Sequence, residues 1–454
     1  MASSLSSIDP VVLHGVAHGG EAVGRAGDLV AFIGLGLPGE RVRVEITERK
    51  PRYLRGHVVE VLEPSPERVT PPCPIFGTCG GCQWQHATYA AQLAFKTAVL
   101  RDQLARLGGF ADPPVEPALA SPLEWHYRNT VQFVPAVLVG ERPVAASRAR
   151  GGTGRLLCFQ RARSNEPVPV EHCYIATELI NWAIHRLPWP ALPDDVWAAL
   201  REIVVRAVPN EALQVTFVSE RSLARAGLKA FITAAREAMP ELSGVLLAHT
   251  RGEQPHLLWG DGSLWFDLAG AQLEVPAGAF VQTNLGVAAV LAGTIVEWLQ
   301  PARGESVLDA YAGTGALTIP LARRAGAVVA VEANLSAAAA AVRNVANAGL
   351  TNVQVRSETV ERAVRAFAPR EASPGASFDY VVLDPPRKGC TPEALEGIVR
   401  LGPRKIVYVS CEPSTLARDL RRLAAAGYRL RRSRVADMFP QTYHLESVSL
   451  LEHG

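Results

Sequence analysis

The chain has 454 residues, which at roughly 150 residues per domain implies about three domains. Apolar residues make up 48% and charged residues 20%, with 38 Gly and 33 Pro, which excludes disordered, collagen-like and low-complexity classes. The net charge of +2, from 46 basic and 44 acidic residues, announces no nucleic-acid partner by itself. No apolar stretch approaches the ~20 residues of a membrane span.

The opening MASSLSSIDP has neither a basic nor an apolar region and does not read as a secretory signal, so a cytoplasmic protein without membrane contact is expected. Residues 8–62 read as closely spaced short strands with turn glycines, the pattern of a small β-barrel over residues 1–64. Pro64, Pro66, Pro71 and Pro72 mark a link, and a cysteine-rich knot follows from Cys73 to Cys82. Next comes a helical run that places Leu93, Leu100, Leu104 and Leu107 on one face and stops at Gly108-Gly109. Residues 125–275 mix strand-like and helical pieces, so residues 65–275 are expected to form a central α+β domain. Residues 276–454 change to regular β/α alternation. Strands are expected at 306–311, 327–332, 352–357, 379–384 and 405–410, forming an α/β, doubly wound parallel sheet that two tail strands extend as an antiparallel edge pair.

The chemistry gathers where those strands end. The first runs into Asp309-Ala-Tyr311-Ala-Gly313-Thr-Gly315, and the second ends at Glu332. Glycines let the backbone approach a ligand, and an acid at the second strand holds ribose hydroxyls. Thr318 stands where a dinucleotide fingerprint needs its third glycine, so the loop is closer to an S-adenosylmethionine site. The fourth strand meets Asp384-Pro385-Pro386-Arg387-Lys388-Gly389, and the fifth meets Ser410-Cys411-Glu412-Pro413. A thiol beside such a loop has a clear use. Uracil C5 is a weak nucleophile until a thiolate adds at C6, and a base must later remove the C5 proton. Cys411 is the expected nucleophile and Glu446 the expected base. Cytosine-C5 enzymes usually carry a Pro-Cys in the fourth-strand loop and amino-group enzymes an aromatic; this loop has neither. A non-catalytic RNA-binding protein is the third reading, against which the intact set Cys411, Glu446, Asp384 and Glu332 counts.

Seven cysteines in a chain of this class point to metal ligands or catalytic thiols rather than disulfides. Cys73-x5-Cys79-x2-Cys82 with Cys173 supplies four thiolates, a set that suits zinc or an iron–sulfur cluster. Cys158 reads as a core thiol and Cys390 as incidental. Two arginine clusters, Arg142 to Arg163 and Arg418 to Arg434, suit an RNA or DNA partner.

Taken together, Phe280-Val-Gln282-Thr-Asn284, DAYAGTG, Glu332, DPPRKG, YVSCEPSTLARDL and HLESV resemble the RNA uracil-5 methyltransferase family across the C-terminal half. The resemblance implies a class I S-adenosylmethionine methyltransferase domain. Gln282, Tyr311, Glu332 and Asp384 would contact S-adenosylmethionine, Cys411 would be the nucleophile and Glu446 the base. It also implies a 4Fe–4S cluster on Cys73, Cys79, Cys82 and Cys173 in a central iron–sulfur domain. Ala316 and Thr359 depart from the polar residues many members carry and stay outside the site. GVAHGGEAVGR and LPGE make the barrel resemble a TRAM domain, an OB-like RNA-binding module. Members acting on transfer RNA often lack that module, which favours ribosomal RNA, specifically 23S, as the partner, with transfer RNA the alternative. Tyr127-Arg128-Asn129 matches a family segment too. A monomer is expected.

Overall fold

The computed structural model describes residues 8–221, 223, 225–250, 253–367 and 378–454. The reading of the extreme N-terminus as no secretory signal falls mostly on residues 1–7, outside the described residues. Among those described, no helix is long and apolar enough to cross a membrane.

Five strands, Ile8–Val16, Ala22–Ala26, Leu29–Gly34, Arg41–Arg49 and Tyr53–Glu63, close into a barrel in the order first, second, third, fifth, fourth. Alternation builds it. Val42, Val44 and Ile46 point into the core with Val11, Leu13, Ile33 and Leu54, while Arg41, Arg43 and Glu45 point out. The proline-marked link is tied down, because the Arg68 guanidinium meets the buried Glu40 carboxylate at 2.5 and 2.8 Å.

Helix Tyr89–Arg106 is capped by Thr88, whose Oγ1 accepts from Ala91 N at 3.3 Å. Its buried face holds Val99, Leu100 and Leu104, but also Gln92 and Lys96, both with no exposure. Leu107 does not join that face; it lies just beyond the helix and is 44% exposed. Apolar spacing misplaces the face because its polar members have partners far along the chain.

The central sheet runs His256–Gly260, Leu242–Ala248, Ala212–Val218, Glu202–Val208, Thr130–Val139, Thr153–Gln160, Pro167–Pro169, with Arg142–Ala145 also on Thr130–Val139. The ribbon Ser263–Leu268/Ala271–Pro276 lends Leu268, Ala271 and Leu273 to the C-terminal core.

The C-terminal sheet has seven strands: Ser306–Ala310, Ala327–Glu332, Val353–Ser357, Tyr380–Leu383, Lys405–Ser410, Tyr428–Ala436 and Glu446–His453. Their order is third, second, first, fourth, fifth, seventh, sixth, with the first five parallel and the last two antiparallel. Successive residues face opposite cores: Leu308, Val381 and Tyr408 one side, Val307, Val382 and Val407 the other. The order reverses between first and fourth strands, which opens a crevice at their carboxyl ends. The segment after the long helix laces onto the sixth strand through Glu116 N to Ser433 O at 2.8 Å and Leu119 N to Val435 O at 2.7 Å.

This lacing decides the fate of the second arginine cluster. Arg432 and Arg434 pair with Glu116, Arg431 with Glu452 and Arg418 with Asp419, so four of its seven arginines carry internal ion pairs. In the first cluster Arg155, Arg161 and Arg163 likewise pair, with Asp194, Glu166 and Glu21.

Candidate active site and cysteine cavity

The loop after the first strand turns through left-handed backbone at Tyr311 (φ 66°), Gly313 (φ 57°) and Gly315 (φ 94°). A side chain at Gly313 would meet nothing within 4 Å, so open space lies over this backbone. Glu332 fastens the loop from the neighbouring strand, accepting from Gly313 N at 2.9 Å and Asn334 N at 2.6 Å. Beneath it Asp309 is wholly buried. Thr318 Oγ1 donates to its Oδ2 at 2.5 Å, while Oδ1 has no partner. Burial, reinforced by Asp384 and Glu332, holds the Asp309 carboxyl up at about 7. Three acids at an open turn suit a cationic, hydroxyl-bearing ligand, which is what S-adenosylmethionine is.

Of the other residues expected at that ligand, Tyr311 turns its phenol inward onto Cys390, whose thiol is buried. What it offers the loop is its backbone. Gln282 is placed through its carbonyl, which accepts from Asn129 Nδ2 at 2.9 Å, and Asn129 N donates to Thr283 O at 3.0 Å. The segment Tyr127-Arg128-Asn129 therefore carries the Gln282 turn.

The second corner forms where the fifth and seventh strands pair. Ser410 lies opposite Ser447, and Ser447 Oγ donates to Ser410 O at 2.9 Å, so Cys411 and Glu446 follow as cross-strand neighbours. Glu446 is 4% exposed and its Oε1 has no partner. Burial first, then Asp384, pushes its carboxyl far above the usual range, against the pull of Arg387. Burial also pushes the Cys411 thiol up to about 11. Glu446 and Asp384 add to this, while Arg387 opposes it by charge and by a hydrogen bond to the sulfur. Burial raises Asp384 to about 7. Cys411, Glu446 and Asp384 are thus brought together as expected, and Asp384 links them to the Asp309 loop.

Arg387 is the residue that sequence reasoning missed. In the sequence it shows only as a non-aromatic residue of its motif, yet it is the cation at the thiol. The loop that aims it is anchored by Thr415 Oγ1 to Arg387 O at 3.1 Å and Arg418 Nη2 to Lys388 O at 2.9 Å. His18, Tyr443 and His444 were missed as well. His444 is held down at about 4 by burial and by the surrounding cations, Arg387 foremost. No local pattern marks these three.

Cys73, Cys79, Cys82 and Cys173 line one cavity of about 270 Å³, together with Ile75, Phe159, Arg128 and His444. Burial pushes Cys79 up to about 11, Cys82 to about 12 and Cys173 upward. The same thiols raise one another, so they lie within electrostatic reach across the cavity. Asn181 frames Cys173, taking its N–H on Oδ1 at 2.8 Å. Cys158 sits apart, fully buried in a strand of the central sheet. Among the described residues, His126, His172 and Glu178 gather ligand atoms within 4.8 Å of one another.

Comparison with known proteins follows the same division. Residues 269–454 match the family model described as tRNA (Uracil-5-)-methyltransferase, and residues 10–59 match the TRAM domain. An uncharacterized RNA methyltransferase of Chlorobaculum tepidum is 36% identical, over 94% of this chain and 92% of that protein. The 23S rRNA (uracil(1939)-C(5))-methyltransferase RlmD of Edwardsiella ictaluri is 35% identical, over 95% of this chain and 93% of its own. Among solved structures, the Pyrococcus abyssi tRNA (uracil-54, C5)-methyltransferase in complex with S-adenosyl-L-homocysteine superposes with a TM-score of 0.69. It covers 99% of this chain and 100% of that one at 24% identity, which is a likeness of fold.

Proposed function

The chain belongs to the S-adenosylmethionine-dependent RNA (uracil-5-)-methyltransferases, and from that premise we propose that it methylates C5 of a uridine in 23S ribosomal RNA through a covalent adduct on Cys411. The observation that carries the reading is the corner of Cys411, Glu446, Asp384 and Arg387 at adjoining strand ends, beside the Asp309–Glu332 loop. Cys411 Sγ adds to C6 of the uracil, and the electron pair passes to C5 and O4. Arg387, the cation at the sulfur, favours the thiolate that this requires. Bound S-adenosylmethionine supplies an electrophilic methyl group to C5. Glu446 then takes the C5 proton, the C5=C6 bond re-forms, and the thiolate leaves. Glu332 and the Gly313 loop hold the cofactor, with Gln282, Tyr311 and Asp384 placed around it.

Ribosomal RNA is favoured by the barrel at the N-terminus and by a relative named for 23S rRNA that spans nearly the whole chain. The working form in this reading is a cytoplasmic monomer. Mapping 5-methyluridine in a deletion strain tests the substrate. One modification should vanish from 23S rRNA while transfer RNA keeps all of its own; loss from transfer RNA instead would reverse the substrate choice, and no loss would reject the activity.

The same reading places a 4Fe–4S cluster on Cys73, Cys79, Cys82 and Cys173. Its role is to organise the surrounding segments, since methyl transfer moves no net electrons. Anaerobically purified protein should hold about four irons per chain; stoichiometric zinc without iron would refute the assignment.

A further inference from the structure

Residues 437–445 join the last two strands and lead into Glu446, the first residue of the seventh. Glu446 Oε1 has no partner, so the carboxyl is aimed in part by the backbone that leads into it. The backbone in turn is gripped by segments more than three hundred residues earlier. Gln441, in left-handed backbone at φ 70°, accepts on its carbonyl from Gln83 N at 3.1 Å and Trp84 N at 3.0 Å, immediately after Cys82. Gln92 closes a two-way clasp, with Gln441 N donating to Gln92 Oε1 at 2.8 Å and Gln92 Nε2 donating back to Gln441 Oε1 at 2.9 Å. Lys96 Nζ, wholly buried, meets Asp437 Oδ1 at 2.5 Å and Phe439 O at 2.8 Å. Tyr127 OH donates to Pro440 O at 2.9 Å. The Gln83 side chain reaches Tyr443 N at 3.4 Å and Gly80 O at 2.8 Å. His444 then lines the cysteine cavity, two residues before Glu446.

We infer that Gln441, clasped by Gln92, is a positioning residue for the base: it fixes residues 437–445 to the segment carrying Cys79 and Cys82, so the packing of the four-cysteine site sets where the Glu446 carboxylate stands. The inference rests on the reading of Cys411 and Glu446 given above. Cys411 ends a different strand and is not part of this grip, so the two halves of the reaction separate. Addition to C6 proceeds normally, whereas removal of the C5 proton depends on the clasp. A displacement of about 1 Å at such a group costs roughly a hundredfold in rate.

Gln92→Met keeps the volume and removes both amide bonds to Gln441, together with those from Gln92 Nε2 to Trp84 O at 3.2 Å and Ala87 O at 3.0 Å. With RNA and cofactor it should form the covalent adduct at the wild-type rate but release product about tenfold to a hundredfold more slowly, so a slow band accumulates on a denaturing gel. Binding of S-adenosylhomocysteine should stay within about twofold of wild type, and so should iron content. Should Gln92→Met fail to fold, Gln83→Ala, altered at a half-buried side chain, is expected to show the same split at lower amplitude. Release at the wild-type rate in the folded variant, while Glu446→Gln still traps adduct, would overturn the positioning role. Addition and release slowed together with a lower melting temperature would overturn it too, as a purely structural effect. No adduct even with Glu446→Gln would remove the base assignment itself, and this inference with it.

Discussion

His18 Nε2 lies 3.1 Å from Glu412 Oε1, so the first loop of the barrel touches the residue that follows the proposed nucleophile. The contact belongs to a close fit. The His18 ring meets Tyr443 edge-on at 6.2 Å, and Trp84 Nε1 donates to Gly20 O at 2.9 Å. Gly20, at φ 88°, approaches so near that a Cβ there would lie 2.9 Å from that of Tyr443. The barrel is thereby built into the rim of the corner that holds Cys411 and Glu446.

If RNA enters across that rim, His18→Ala should raise KM for RNA about fivefold, on the order of 1 kcal/mol, and leave cofactor affinity unchanged. Stability should move by less than about 1 kcal/mol, because a partly exposed imidazole–carboxylate contact is worth no more than that. Steady-state kinetics with a titrated RNA fragment checks this; an unchanged KM would place the RNA elsewhere.

Arg387→Ala removes the cation that draws the Cys411 thiol down against burial, Glu446 and Asp384. The thiol should then ionise at still higher pH. Adduct formation in single-turnover assays should slow about tenfold or more at pH 7.5, recover partly as pH rises, and leave cofactor binding intact. Loss of cofactor binding instead would assign Arg387 to the other site.

These partners show what the sequence makes legible. Cys411, Asp384 and Glu332 end parallel strands, where local patterning and the carboxyl-end rule locate ligands without any knowledge of packing. Arg387 stood inside a motif, but its target is a residue on the next strand end, and only the fold brings the two together. Lys96 and Asp437 are 341 residues apart and Gln92 and Gln441 349 apart. No periodicity within the Tyr89–Arg106 helix could announce that its polar residues face inward and Leu107 outward. Nor could the sequence show that Arg432, in the second arginine cluster, pairs with Glu116 from a segment more than three hundred residues earlier.

Asp309 predicts a pH signature in stability. An unfolded Asp titrates near 3.9, whereas burial holds the folded carboxyl at about 7. Between those values the native state holds a proton that the unfolded state has released, so stability falls as pH rises through the window of roughly 4 to 7. Asp309→Asn should flatten that part of the slope and raise stability at pH 8 by on the order of 1–3 kcal/mol. Urea unfolding at pH 5.5 and pH 8 reads both effects, and an unchanged difference between the two pH values would contradict them.

Glu446 makes the most exposed prediction. If it is the base, its loss should stall the reaction after methyl transfer, because elimination requires the C5 proton to leave. Glu446→Gln keeps the shape of a side chain that is 4% exposed, so folding should survive. The enzyme–RNA adduct should then accumulate as a slow, RNase-sensitive band carrying the methyl label. Cys411→Ala should give no band while still binding S-adenosylhomocysteine, and the double variant should behave like Cys411→Ala, since the base acts only on an adduct already formed. Loss of a general base costs ~10²–10⁴ in rate, so slow release through water is compatible with the role. In the competing view, Glu446 is merely the partner of Arg387, which acts on it electrostatically. That view predicts a different outcome for Glu446→Gln: weaker RNA binding or a lower melting temperature, with no methylated adduct at any time point.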